Sequence, residues 1–227
     1  MDRFLNQIIC GDCLEVMRDI PDKSVDMILC DLPYGTIACK WDTIIPFEPL
    51  WEQYERIIKD NGAIVLFGSQ PFTSKLIMSN LKMFKYEWIW DKVNPSGFQI
   101  AKYQPLKQHE NILVFGKNKI NYYPIKIPRD KTKKSRHYGK SSESNPLAYV
   151  DNINREYSDY NPKSIITVSN ANRKGRLHPT QKPVALFEYL IKTYTQPGEI
   201  VLDNCIGSGT TAIAALNTGR FFIGIEK

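Results

Sequence analysis

The sequence lacks both a long hydrophobic run and a secretion signal. None of its apolar stretches approaches the roughly 20 residues needed to cross a bilayer. Residues 1–10 contain no basic region followed by an apolar core, which is the pattern of a signal peptide. These absences argue against a membrane-spanning or secreted protein, and we expect a cytoplasmic one.

Cysteine is scarce and odd in number. Five cysteines in a chain that is expected to be cytoplasmic indicate free thiols and not a disulfide framework. Cys10, Cys13, Cys30 and Cys39 can be read as four zinc ligands, but only one Cys-x-x-Cys pair is present. Cys10 and Cys30 instead end apolar runs, in which a small buried thiol packs well. We therefore favour packed thiols over a zinc site and expect no metal.

Positive charge is concentrated in one segment. The whole chain carries a net charge of +6, yet residues 117–176 contain 14 Lys or Arg and 5 Asp or Glu and so carry +9 alone. A localised basic segment favours a polyanion partner, and the alternative is a solvated, lysine-rich loop. We interpret this segment as an irregular, β-rich insert between two halves of one domain, residues 1–116 and 177–227.

Outside the insert, short apolar runs alternate with amphipathic segments. Runs such as VDMILC (25–30) and AIVLFG (63–68) are separated by helical patterns such as LWEQYERIIK (50–59). Continuous apolar strands separated by helices predict a largely parallel sheet that is covered on both faces. Ligands bind such sheets beyond the carboxyl ends of the strands. The stretch DLPYG (31–35) directly follows one of these runs and therefore lies where a site is expected.

A second candidate site is the stretch VLDNCIGSGTT, a predicted strand followed by a glycine-rich turn and a helix. Gly207 and Gly209 allow the backbone to approach a ligand closely. The turn lacks the third glycine of the dinucleotide fingerprint and the GxxxxGK of a phosphate-binding loop, so a smaller carboxylate ligand suits it better. Glu226 ends the next predicted strand, where an acid can accept hydrogen bonds from ribose hydroxyls. These features favour a nucleoside ligand, with a structural turn and a solvent-facing acid as the alternatives.

Three stretches resemble motifs of the β-class DNA amino-methyltransferases, which use S-adenosylmethionine. Residues 31–34 (DLPY) are similar to the catalytic motif DPPY, and residues 203–211 (DNCIGSGTT) to the cofactor motif DPFxGSGTT. Residues 178–183 (HPTQKP) match the segment that precedes the cofactor motif. The resemblance implies an α/β, Rossmann-like methyltransferase fold with a mixed, mostly parallel seven-stranded sheet, circularly permuted. It also places the target-recognition segment in the basic insert, residues 117–176.

The resemblance implies a reaction as well as a fold. A DNA N6-adenine methyltransferase of the DPPY type transfers a methyl group from S-adenosylmethionine to the exocyclic amine of a flipped-out adenine in duplex DNA. The Asp31 carboxylate and the Leu32 carbonyl are then expected to accept the hydrogens of the amine. Tyr34 is expected to stack on the base, and Pro33 completes the motif.

Further residues are expected to bind the cofactor. By resemblance, Asp12 contacts the adenine amino group of the cofactor and Glu226 its ribose, whereas Asp203 supports the turn. The other expected cofactor residues belong to the glycine turn, the catalytic motif and the methionine end of the site: Asp31, His178, Thr180, Lys182, Gly207, Ser208, Gly209, Thr210 and Thr211.

Double-stranded DNA is the expected partner, and residues 122–136 supply the candidates for contact with it. Basic side chains of the insert suit phosphate contacts, which position DNA without reading its sequence. These are Lys131, Lys133, Lys134 and Arg136. Three others are candidates for stacking on bases or wedging between them: Tyr122, Tyr123 and Arg129.

Several alternatives stay open. Methylation of cytosine N4 or of an RNA base would use the same scaffold, and a catalytically idle nucleic-acid-binding protein would belong to another class. Leu32, Asn204 and Cys205 depart from the two family motifs. Relatives usually continue into another helix where this sequence stops, so a covering partner or a homodimer is a further open expectation.

Overall fold

The computed structural model describes residues 1–36, 42–134, 156–170 and 181–227. Short 3-10 helices lie at Asp2–Phe4 and Phe98–Ile100. The other helices and strands are, in chain order, β1 (Gln7–Cys10), α1 (Cys13–Arg18), β2 (Val25–Cys30), α2 (Phe47–Ile57), β3 (Ile58–Gly68), α3 (Phe72–Ser79), β4 (Phe84–Ser96), β5 (Lys107–Phe115), β6 (Ile127–Lys134), β7 (Glu156–Tyr160), β8 (Ile165–Thr167), α4 (Val184–Tyr194), β9 (Ile200–Asp203), α5 (Thr210–Asn217) and β10 (Phe221–Glu226).

Four residues named from the sequence lie outside the described ranges: Cys39, Arg136, His178 and Thr180. Within those ranges, no helix is long and apolar enough to cross a membrane.

The described residues form two compact units. One comprises residues 1–123 and 164–227 and contains an eight-stranded sheet with its helices. The other comprises residues 124–163 and contains the antiparallel pair of β6 and β7. The insert boundaries expected from composition, 117–176, stay a prediction.

The large sheet is mixed and mostly parallel. Its strand order is β1-β10-β9-β2-β3-β5-β4-β8. The first five strands are parallel neighbours, β5 runs antiparallel to β3 and β4, and β8 runs parallel to β4. This confirms the predicted α/β class. The sheet has eight strands instead of the predicted seven, because the three-residue strand β8 pairs with the edge of β4 and is too short to show a sequence pattern.

Helices cover both faces of the sheet, as the continuous apolar runs predict. Strand β2 is buried at every position. Because successive strand residues point to opposite faces, Ile28 packs in a cluster with residues of α1, α2 and α3. Met27 and Leu29 pack in a second cluster with residues of α4 and α5.

The expectation that Cys10 is buried was wrong. Its thiol is exposed, because β1 is an edge strand of the sheet. Cys30, at the end of the central strand β2, is buried as expected.

The parallel strands end at one edge of the sheet, called here the carboxyl edge. Strands β10 and β9 end there at Glu226 and Asp203, and β2 ends there at Cys30. Strand β4 has the same direction and ends there at Ser96, and β5 begins there at Lys107. Residues that are far apart in sequence therefore meet at this edge.

The first prediction concerns the contact between α2 and the turn after β9. Tyr54 is fully buried and donates a hydrogen bond of 2.5 Å to Oδ1 of Asn204. The substitution Tyr54→Phe removes this donor and leaves a buried acceptor without it, so the free energy of unfolding should fall by about 1–3 kcal/mol. Urea unfolding followed by circular dichroism measures it. Tyr157→Phe, at a more exposed position of β7, is the control, and equal stability of both variants would contradict the contact.

Candidate active site

The Asp31 carboxylate, directly after β2, has a partner on each oxygen. The hydroxyl of Tyr34 donates to Oδ1 at 2.7 Å, and the ammonium of Lys182 donates to Oδ2 at 2.5 Å. Lys182 is more than 150 residues from Asp31 along the chain. The sequence placed these two residues in separate motifs, and the fold brings them together.

Lys182 belongs to a larger network of charges. Its ammonium lies 3.4 Å from the Glu110 carboxylate on β5, and Glu110 also pairs with Lys92 on β4 at 3.2 Å. Two ammonium groups thus balance two carboxylates. Burial lowers the pKa of Lys182, but Asp31 and Glu110 outweigh burial and raise that pKa above its ordinary value. Lys182 is therefore charged at neutral pH.

Sequence reasoning gave no role to Lys92 or Glu110. The available signal was weak: Glu110 directly precedes the apolar run at residues 111–115, at the start of a predicted strand. Only the antiparallel pairing of β4 with β5 places Lys92 beside it.

The Tyr34 ring stacks on Phe72, the first residue of α3. The ring centroids lie 5.0 Å apart with an interplanar angle of 27°. Burial, followed by the nearby Asp31 carboxylate, raises the pKa of Tyr34 well above its ordinary value. The hydroxyl therefore stays protonated and can keep donating to Asp31. One face of the ring is covered by Phe72.

The chain after Tyr34 is held in a tight turn by Asp42. Its carboxylate accepts hydrogen bonds from the backbone N–H groups of Gly35 at 3.0 Å and Thr36 at 2.7 Å. Gly35 has a φ of +67°, and a Cβ there would come within 2.8 Å of Ile44. The position after the DLPY motif therefore requires glycine.

Leu32 and Pro33 complete the motif in different ways. The Leu32 side chain is buried in the apolar cluster that α2 covers, whereas Pro33 is partly buried. The leucine that replaces the first proline of the family motif thus packs in the core. Because its side chain is buried, Leu32 can contact a ligand only through its backbone carbonyl.

Asp203 lies beneath the glycine turn and holds it together. Its Oδ1 accepts from the backbone N–H of Cys205 at 3.0 Å, and its Oδ2 accepts from the Thr211 hydroxyl. Burial raises the pKa of Asp203 to about 6, although the hydrogen bonds from Thr211 and Cys205 oppose the rise. Thr211 is fully buried, so its hydroxyl supports the turn from below.

Within the described part of the chain, the glycine turn has open space beside Gly207 and Gly209. Gly207 and Gly209 have φ angles of +50° and +82°, and Gly209 caps the start of α5. Among the described residues, a Cβ at Gly209 would meet nothing within 4 Å, and one at Gly207 would meet only a backbone oxygen at 3.9 Å. The turn therefore needs glycine for its backbone conformation, and a ligand has room to approach it. Thr210 links the turn to Lys182, because the Thr210 hydroxyl donates a hydrogen bond of 3.4 Å to the backbone oxygen of Lys182.

Asp12 and Glu226 lie at the ends of neighbouring strands, β1 and β10. The Glu226 carboxylate accepts from the Gly207 N–H at 2.8 Å and so joins the glycine turn. Asp12 caps α1 through the Leu14 N–H at 3.0 Å and pairs with Lys227 at 3.0 Å. The hydrogen bond from Lys227, then that from Leu14, lowers the pKa of Asp12. The Glu226 carboxylate thus lies beside the glycine turn, and the Asp12 carboxylate lies after the neighbouring strand, β1.

The fold brings one set of the expected site residues to the carboxyl edge: Asp12, Asp31, Leu32, Pro33, Tyr34, Lys182, Asp203, Gly207, Ser208, Gly209, Thr210, Thr211 and Glu226. Two of the expected DNA contacts lie elsewhere in the same unit. Tyr122 and Tyr123 lie beside the end of α4, at the opposite edge of the sheet, where the Tyr123 N–H donates to Thr193 at 2.8 Å.

The remaining described candidates for DNA contact lie in the unit of residues 124–163. The Arg129 guanidinium lies 3.6 Å from the centroid of the Tyr160 ring and donates to the Asp159 carbonyl at 2.8 Å. Lys134 pairs with Glu156 at 3.6 Å across β6 and β7. Lys131 and Lys133 are exposed. Arg129 is thus held by its own unit, and the DNA roles of these side chains stay predictions.

No cluster of His, Cys, Asp and Glu among the described residues is arranged to hold a metal ion.

Comparisons with known proteins give a consistent result. Residues 25–227 match the model of the N6/N4 DNA methylase family. The type II methyltransferase M.BglII of Bacillus subtilis is 30% identical over 248 residues, which are 99% of this chain and 66% of the relative. The type II methyltransferase M1.MboII of Moraxella bovis is 30% identical over 245 residues, 98% of this chain and 92% of the relative.

A solved structure agrees with these relatives. The crystal structure of an M1.HpyAVI–S-adenosylmethionine complex has a TM-score of 0.66 with 27% identity and covers 97% of this chain and 92% of the other. The chain thus spans about two thirds of the length of the Bacillus subtilis relative and nearly all of the Moraxella bovis one.

The second prediction concerns the buried Asp203. Its pKa is raised from an ordinary value of 3.8 to about 6, so the folded state holds the proton more tightly than the unfolded state. The resulting stability is fully present below about pH 4 and is lost as the pH rises through about 6. Between pH 4 and pH 7, the wild type should therefore lose about 2 kcal/mol of unfolding free energy relative to Asp203→Asn.

Urea unfolding at several pH values measures this difference. Asp2→Asn, at an exposed position, controls for the loss of one carboxylate. Parallel pH profiles of the wild type and Asp203→Asn would show that the buried carboxyl does not titrate as described.

Proposed function

This chain belongs to the N6/N4 DNA methylase family, and we propose that it transfers a methyl group from S-adenosylmethionine to the N6 amine of an adenine flipped out of duplex DNA. The observation that carries the proposal is the contact between Asp31 and Lys182. It joins the DLPY motif to the segment before the glycine turn, so that an acceptor for an amine and an open ligand turn share one edge of the sheet.

The residues at the glycine turn fit the methyl donor. No described residue crowds the turn at Gly207 or Gly209, where a Cβ would otherwise stand between the backbone and a ligand. Glu226 and Asp12 offer acceptors for ribose hydroxyls and for an adenine amino group. Bound S-adenosylmethionine supplies a methyl group on a positively charged sulfur.

Asp31 would prepare the amine for attack. An exocyclic amine is a poor nucleophile, because its lone pair is delocalised into the ring. Hydrogen bonds from its two hydrogens to the Asp31 carboxylate and the Leu32 carbonyl would favour a tetrahedral nitrogen with an available lone pair. With the donor bound, its methyl group would pass to this nitrogen while the electron pair of the carbon–sulfur bond stays on sulfur, and the methylated amine would then release one proton to water.

The partners of Asp31 support this role. Tyr34 and Lys182 fix both carboxylate oxygens, so the acceptor does not have to reorganise when the amine arrives. A carboxylate oxygen accepts more than one hydrogen bond, so an amine can join these donors.

A base within a duplex does not reach this edge, so it has to leave the stack. The Tyr34 face that Phe72 does not cover is the surface that we assign to the flipped base. Adenine is the proposed base because the motif begins with an acid, Asp31, as in the DPPY type. Cytosine is the competing target within the same family.

The third prediction tests reaction and base together. The wild-type chain, produced in a methylation-free bacterial host, should leave N6-methyladenine in one recurring sequence, read by modification-sensitive single-molecule sequencing. Asp31→Ala should lower this methylation at least about 100-fold, because the acceptor that holds the amine is lost. Calorimetry should still detect S-adenosylmethionine binding by the variant, and Asp2→Ala serves as the control.

Other outcomes of this experiment are also decisive. Methylated cytosines would keep the mechanism and overturn the base. Unchanged methylation by Asp31→Ala would contradict the role of its carboxylate. A folded wild type that binds DNA but methylates none would point to an idle nucleic-acid-binding protein.

A further inference from the structure

The connection between β4 and β5, residues 97–106, exposes large apolar side chains that do not belong to the site described above. Phe98, Ile100 and Tyr103 are 66%, 44% and 87% exposed. We call this connection the β4–β5 loop. Single exposed apolar residues are common on protein surfaces, but three within six positions form a patch that usually binds something.

The loop is ordered by its own backbone. Gly97 opens it with a φ of +90° and begins the short helix Phe98–Ile100. The Ile100 N–H donates to Gly97 at 3.1 Å, and the Tyr103 N–H donates to Ile100 at 2.9 Å. Because the loop folds on these bonds, its apolar side chains are held outward by a defined backbone.

The base of the loop is joined to the Asp31 site. Ser96 and Lys107 face each other across β4 and β5, and the Lys107 ammonium donates to the Ser69 hydroxyl just after β3. Three residues beyond Lys107, Glu110 pairs with Lys182, which pairs with Asp31. The loop therefore rises from the carboxyl edge beside the carboxylate that we assign to the amine.

The charge of the loop suits a polyanion. The loop contains one lysine, Lys102, and the strand ends beside it add Lys92 and Lys107, with no Asp or Glu between residues 92 and 107. Lys92 is paired with Glu110 and the Lys107 ammonium donates to Ser69, so the exposed Lys102 supplies the charge toward a ligand. Aromatic side chains with nearby lysines are the combination that stacks on bases while it attracts phosphates.

We propose that the β4–β5 loop is a DNA wedge, in which Phe98 and Tyr103 stack on the bases beside the extruded target and hold the gap open. This inference rests on the proposed function, because a base that leaves the stack creates such a gap. Apolar wedges between base steps offset part of the unstacking free energy in other DNA-bending proteins. The proposed wedge contains no residue of the basic insert, residues 117–176.

The first test reports contact and does not need methylation. Tyr103→Trp places an indole on the loop, while the described native residues Trp51, Trp88 and Trp90 are buried. Its additional emission should be quenched by a 30-base-pair duplex that carries the motif found by sequencing, or by sheared plasmid DNA if no motif is found. Leu81→Trp, also exposed but at the opposite edge of the sheet, is the control and should keep its emission.

The second test reports the wedge itself. Phe98→Ala and Tyr103→Ala should lower the methylation rate on a fully paired duplex about tenfold or more, because stacking on a base contributes about 1–3 kcal/mol. On a duplex with an abasic site opposite the target base, which removes the pairing to be broken, both variants should regain most of the wild-type rate. Equal losses on both substrates, or none, would overturn the wedge.

Failure of the wedge and failure of the proposed function give different results. If the wild type methylates no DNA but DNA quenches the emission of Tyr103→Trp, the proposed function is wrong and the DNA contact of the loop stands. An active wild type with unquenched Tyr103→Trp would overturn the wedge alone. If, in addition, Phe98→Ala shifted the sedimentation of the protein to a smaller species, the loop would be an interface between two copies of the chain.

Discussion

The ion pair between Asp31 and Lys182 is the contact on which the rest of the site depends. It joins Asp31, which follows β2, to Lys182, which precedes α4. The Lys182 side chain is largely buried and that of Asp31 is partly buried. Glu110 and Lys92 extend it to the antiparallel strands β4 and β5, so that two positive and two negative side chains balance. Removal of one member would leave an uncompensated charge in a place of low dielectric, which is far more costly than loss of an exposed pair.

The same edge holds a second network with a different purpose. Asp203 holds the glycine turn from below, and Glu226 holds it from the neighbouring strand through the Gly207 N–H. Asn204, where the family motif has proline, accepts from the buried Tyr54 hydroxyl and so joins the turn to α2. The departure from the motif is thus built into the packing, and the open side of the turn is left to a ligand.

Much of the fold and part of the site could be predicted from the sequence, for definable reasons. Continuous apolar runs marked the buried strands, and glycines at required backbone conformations marked the turns, so Asp31, Asp203 and Glu226 were expected at strand ends. The charge network could not be predicted, because it depends on which strands become neighbours. Lys92 and Glu110 meet only through an antiparallel pairing that no local pattern specifies. For the same reason, the position of Tyr122 and Tyr123 at the opposite edge was not foreseen.

A double-mutant cycle between Asp31 and Lys182 tests the central claim that these two residues assemble one site. The free energy of unfolding and the affinity for S-adenosylmethionine would be measured for Asp31→Asn, Lys182→Met and the double variant. If the ion pair unites the site, the summed losses of stability of the single variants should exceed the loss of the double variant by about 1–3 kcal/mol. Losses of stability that add to within about 0.5 kcal/mol, with cofactor affinity equally additive, would contradict the account.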